Sequence, residues 1–136
     1  MNGWLVWTML AMITFGAWGF FPKLAVSYIN PQSALVYQVI GGVFVGIISL
    51  AMVNFRPEIH PMGILYAALT GITGVLGTLF YYAAADRGQI SVVVSLTALY
   101  PLITILLAII FLHETLVLKQ YIGLGFALTA IILLAG

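Results

Sequence analysis

The chain has 136 residues, of which 64% are hydrophobic and only 5% are charged, and its mean hydropathy is +1.23. So few charges cannot cover a water-soluble fold of this size, and a disordered chain would be polar. The net charge of +1 rests on four scattered Lys and Arg, which excludes a nucleic-acid surface. With no cysteine there is no disulfide, thiolate metal site or thiol nucleophile. An integral membrane protein remains, read as one domain over 1–136.

A spanning helix needs about 20 mostly apolar residues. Five stretches qualify: 4–26, 34–53, 62–85, 92–112 and 116–135. The first begins after Met1-Asn2-Gly3, which carries no cationic leader region, so it reads as a retained span. Pro22 lies within it, between Gly16, Gly19 and Lys23. Proline has no N–H, so the carbonyl of Trp18 loses its helical partner and a kink is expected. Lys23 falls about 28 Å along this helix, close to the far interface. It can anchor the helix end by snorkelling, or stand as a cation at a cavity mouth.

Asn30-Pro31 makes the turn into the second span, with Ser33 expected as its N-cap. Tyr37 and Gln38 follow, then Gly42 and Gly46 at G-x-x-x-G spacing. Pro61 fits the first turn of the third span, where no donor is needed. That span carries Gly71, Gly74 and Gly77, which read as a packing face, and Tyr66, Tyr81 and Tyr82. Gly88 is expected to close it and Ser91 to cap the fourth span. Pro101 sits in the middle of that fourth span and strands the carbonyl of Thr97 near the bilayer midplane. Ser95, Thr97 and Tyr100 lie beside it, and a broken helix at midplane is a pointer to a transport site. Thr115 is expected to cap the fifth span, whose first turn holds Lys119 and Gln120.

Five spans put the termini on opposite faces. Arg56 and Lys119 fall on one face, Lys23 and Arg87 on the other. This even balance gives no positive-inside instruction, and it fits copies inserting both ways and pairing antiparallel. No Asp or Glu lies inside a span, since Glu58, Asp86 and Glu114 all fall at connections. A mid-membrane carboxylate proton relay is therefore not expected. Nor is catalysis: His60 and His113 stand in connections, without a metal-ligand pattern such as H-E-x-x-H, and no metal or cofactor is expected.

Several runs resemble a known repeat. They are Tyr81-Tyr82-Ala83-Ala84-Ala85, then Ser91 to Thr97, Tyr100-Pro101-Leu102, Phe111-Leu112-His113-Glu114-Thr115-Leu116, and Gln120-Tyr121-Ile122-Gly123. Gly16-Ala17-Trp18-Gly19 and Lys23 add to them in the first span. Together they resemble the EamA-type repeat of the drug/metabolite transporter superfamily, over essentially the whole chain. The second span departs from the pattern, with Tyr37-Gln38 where many repeats carry an arginine.

The resemblance implies an all-α membrane protein, a five-helix bundle forming one repeat of an inverted-repeat transporter. It implies transport of metabolites, amino acids or amphipathic drug-like solutes by alternating access. The expected assembly is an antiparallel homodimer or a heterodimer with a second repeat, in a prokaryotic plasma membrane. It implies cavity roles for Trp18, Lys23, Tyr82, Ser95, Tyr100 and Pro101, with Pro22 and Pro101 as the bends. Glu114 matches the family's glutamate, and its place before the fifth helix suits that helix's amino end. A lipid-linked substrate for a heterodimer, or a non-transporting accessory subunit, are the alternative readings.

Overall fold

The computed structural model describes residues 3–135. It is all helical. In chain order the helices are α1 Gly3–Val26, α2 Pro31–Met52, α3 Pro61–Arg87, α4 Ile90–Thr97, α5 Tyr100–Leu112 and α6 Leu118–Ala135. Four stretches are long and apolar enough to cross a membrane: α1, α2, α3, and the run Ile90–Leu112 that contains both α4 and α5. In α6 the apolar part, Leu118–Leu133, is shorter. Four of the five expected spans are thus long enough to cross, the fourth of them interrupted, while the fifth is a shorter apolar helix.

The chain forms two compact units, residues 1–87 and 88–136. In the first, α1, α2 and α3 pack on one another. Its buried residues are Pro22, Ala34, Thr78, Tyr81, Tyr82 and Ala85. They gather the second half of α1, the start of α2 and the second half of α3. The first 17 of the 27 residues of α3, 61–77, are exposed throughout. In the second unit α4 packs against α6.

Most apolar side chains point outward, Trp7 and Phe44 among them. In a bilayer that is the stable arrangement, because lipid tails solvate them as well as a core would. The hydroxyls follow the same logic. Thr8, Thr14, Ser49, Thr70 and Thr129 each donate to the carbonyl four residues back, at 2.8–3.0 Å. With no water in hydrocarbon, a polar side chain turns to its own backbone.

The helix ends correct several expected caps. Asn30, not Ser33, caps α2: its side-chain oxygen accepts from the Ser33 N–H at 2.8 Å, with Pro31 opening the helix. Asn is a good cap, and Pro in the first turn forfeits no bond. The residue preceding α4 is Gln89, without a side-chain cap bond, and Ser91 lies inside the helix. At α6 the Gln120 side chain reaches back to the Val117 N–H at 2.8 Å, half of a capping box, in place of Thr115. Glu114 stands four residues ahead of that helix.

The end of α2 carries a Schellman motif. Asn54 is left-handed at φ 53, its N–H meets the Ala51 carbonyl, and the Phe55 N–H meets that of Leu50. His113, at φ 54, ends α5 with its N–H on the Ala108 carbonyl.

Candidate functional site

The first unit brings together a cluster between α1 and α3. Pro22 is fully buried there, and α1 continues through it as one helix. The Tyr81 hydroxyl donates to the Gly19 carbonyl at 2.7 Å. That carbonyl lies three residues before Pro22. The Tyr81 ring lies against the Trp18 indole, with centroids 5.1 Å apart and planes tilted by 37°. Tilted rings at this distance are an attractive aromatic geometry. One turn further on, the Lys23 ammonium donates to the Ala85 carbonyl at 2.7 Å. Ala85 is among the last four residues of α3, whose carbonyls have no partner within the helix. A cation there also meets the negative end of the helix dipole.

Of the residues singled out from sequence, Trp18, Pro22 and Lys23 thus share this stretch of α1, while Tyr82 follows Tyr81 on α3. Trp18 and Lys23 are half-buried, and the body of Tyr82 is buried. Tyr81, noted only as one of several tyrosines, is the residue that ties them together. Its neighbour Tyr82 offers the same chemistry in the sequence, so only the packing tells them apart.

The second unit holds Ser95, Tyr100 and Pro101 where the fourth span is interrupted. The helix stops at Thr97 and resumes at Tyr100, so Pro101 takes the second position of α5. Ala98 and Leu99 keep right-handed backbone angles with ψ near zero, and the Leu99 and Leu102 N–H groups bond three residues back. The ladder tightens here without opening into a loop. Ser95 is half-buried, and its hydroxyl donates to the Ser91 carbonyl at 2.7 Å. Thr97 does the same to Val93. Toward a solute both therefore act as acceptors. Tyr100 is 59% exposed, and Pro101 is exposed too.

A separate open hollow of about 330 Å³ lies along α2 and α3, lined by Gln38, Val39, Gly42, Val43 and Val75. None of the cavity residues expected from sequence lines it. Around Gly42, Gly46, Gly71, Gly74 and Gly77 an added methyl would meet nothing within 4 Å. These glycine faces, expected to be packing surfaces, are open within the chain. Among the described residues no three of His, Cys, Asp and Glu gather as a metal site.

Comparison with known proteins agrees with this architecture. The EamA-like transporter family matches residues 2–136. An uncharacterized protein of Methanocaldococcus jannaschii is 33% identical over 127 residues, covering 93% of this chain and 92% of that protein. No solved structure matches. Members of the matched family are membrane transporters and not enzymes. With the match spanning nearly every residue, and four membrane-crossing apolar stretches beneath it, the chain belongs to the EamA-like transporter family.

Proposed function

We infer that the chain is a half-transporter, one five-helix repeat that moves small metabolites, amino acids or amphipathic solutes by alternating access as an antiparallel dimer. The observation that carries this reading is the gathering of Trp18 and Lys23 with Tyr81 into one aromatic and cationic cluster within a membrane unit. Membrane helices rarely hold such groups without a use for them. Trp18 would offer the ring face that Tyr81 leaves open, and Lys23 a positive charge that a carboxylate could share with the Ala85 carbonyl. Ser95, Tyr100 and Pro101 would line the solute path at the interrupted span, where backbone carbonyls escape the regular ladder. The even split of cations between the two faces supports both orientations, in a prokaryotic plasma membrane.

Two measurements test this. The chain lacks cysteine, so single cysteines at Gln32 and His60 can be probed from outside with an impermeant thiol reagent. Labelling of about half of each position supports dual insertion. Labelling of one position only replaces the antiparallel homodimer with an oppositely oriented partner chain or a parallel assembly. In proteoliposomes, a panel of labelled amino acids and amphipathic amines should include a transported solute. Trp18→Ala should lower that flux about tenfold, the equivalent of one lost contact of 1.4 kcal/mol. Equal flux with and without Trp18 would overturn its assignment.

A further inference from the structure

We propose that Tyr81 is a positioning residue for transport, one rung of a reciprocal clasp that fixes α1 against α3 and holds the Trp18 indole in place. The inference rests on the reading of Trp18 as a cavity residue. Two hydrogen bonds make the clasp. Tyr81 of α3 donates to Gly19 of α1, and Lys23 of α1 donates to Ala85 of α3. Both join residues 62 apart in sequence. The donors alternate between the helices, and the rungs are four residues apart on each. Rising sequence on α1 meets rising sequence on α3, so the two helices run parallel there in fixed register.

Both acceptors are backbone carbonyls. The Gly19 carbonyl has a second lone pair to offer, and the Ala85 carbonyl lies in the unserved last turn. Sliding one helix past the other by a single residue moves it about 1.5 Å and stretches both rungs together. The Tyr81 ring meanwhile packs on Trp18. The hydroxyl anchors that ring at Gly19, and the anchored ring limits the indole. Pro22 and Ala85, the most enclosed residues of the unit, fill the space around the rungs. During any change of access, α1 and α3 then move as one body, and the Trp18 face is presented in one orientation.

The test uses tryptophan fluorescence of the full chain purified in detergent. The chain has three tryptophans, so replacing Trp4 and Trp7 by Phe leaves Trp18 as the sole reporter. Tyr81→Phe keeps the ring and removes the anchor. It should raise acrylamide quenching of Trp18 at least about twofold, as expected for loss of one hydrogen bond. Tyr66→Phe, the same change on the exposed part of α3, should leave quenching unchanged. Equal quenching in the two variants overturns the proposal. If Tyr81→Phe does not insert, Lys23→Met and Lys23→Arg decide it: Met should raise quenching and Arg restore it, and no difference between them overturns the clasp. This readout needs no solute. Absence of flux with the quenching contrast intact would overturn the transport reading and leave the clasp standing.

Discussion

Pro22 lies inside α1 with its ring fully buried, whereas Pro101 is exposed at the second position of α5, just after the ladder has tightened at Ala98 and Leu99. Each removes one helical hydrogen bond from an apolar span, yet one helix continues and the other is divided. The surroundings differ. Around Pro22, α3 supplies the Tyr81 hydroxyl at Gly19 and the close fit of Ala85, so neighbouring side chains hold the backbone in place. Around Pro101 the flanking residues of α4 and α5 are half-buried or exposed, and among the described residues of that unit none is fully enclosed. A proline sets the defect, and its neighbours decide whether the helix stays whole.

The contrast can be broken most severely by truncation. Tyr82→Ala should cost about 3 kcal/mol of stability, the range for emptying a buried aromatic site. Tyr100→Ala should change it by about 0.5 kcal/mol or less, as for an exposed position. Denaturant unfolding of the purified chain in bicelles measures both, and similar losses would remove the distinction between the two units. Overfilling comes next. Ala85→Leu should destabilise by about 1–3 kcal/mol, because its site is closed, while Ala98→Leu, on an exposed residue, should be near neutral. The third test restores what proline removes. Pro101→Ala gives residue 101 an N–H for the Thr97 carbonyl and should rejoin α4 with α5. Amide exchange at Leu99 and Leu102 should slow about fivefold, as for one added bond of about 1 kcal/mol. Unchanged exchange would mean that something other than Pro101 divides the span. The smallest effect belongs to the caps: Asn30→Ala should cost about 1 kcal/mol and Gln120→Ala, half of a capping box, about 0.5 kcal/mol. Thermal unfolding ranks the two, and the reverse order would give the greater role to the α6 end.

The spans were legible because membrane insertion acts on long apolar runs, which composition displays directly. Pro61 at the start of α3 was legible for a local reason, since its ring suits only a first turn. The caps were not. Ser33, Ser91 and Thr115 are all good cap formers, but Asn30 precedes the Pro31 that starts α2, Gln120 serves α6 from within, and α4 starts at Ile90, so that Ser91 falls inside it. Choosing among adjacent polar residues needs backbone angles that the sequence does not carry. The cluster was half legible. Trp18, Lys23 and Tyr82 could be singled out as polar or aromatic groups in apolar helices. What Lys23 touches could not, because its partner at Ala85 is a carbonyl, a group every residue has. Tyr81 was hidden beside Tyr82 for the same reason, since its acceptor on Gly19 has no signature of its own.

The 62-residue interval that each rung spans also bears on how the protein is made. At about 5–20 residues per second, Ala85 is synthesised about 3–12 s after Lys23. During that interval the first helix has already reached the membrane, and its lysine must be served by interfacial water or lipid headgroups. Only when the third helix enters can the amine pass to the Ala85 carbonyl and settle deeper. Final seating of the first helix therefore waits on the third, and a chain stalled after the second would leave its first helix shallow in the bilayer, open to capture by quality-control proteases.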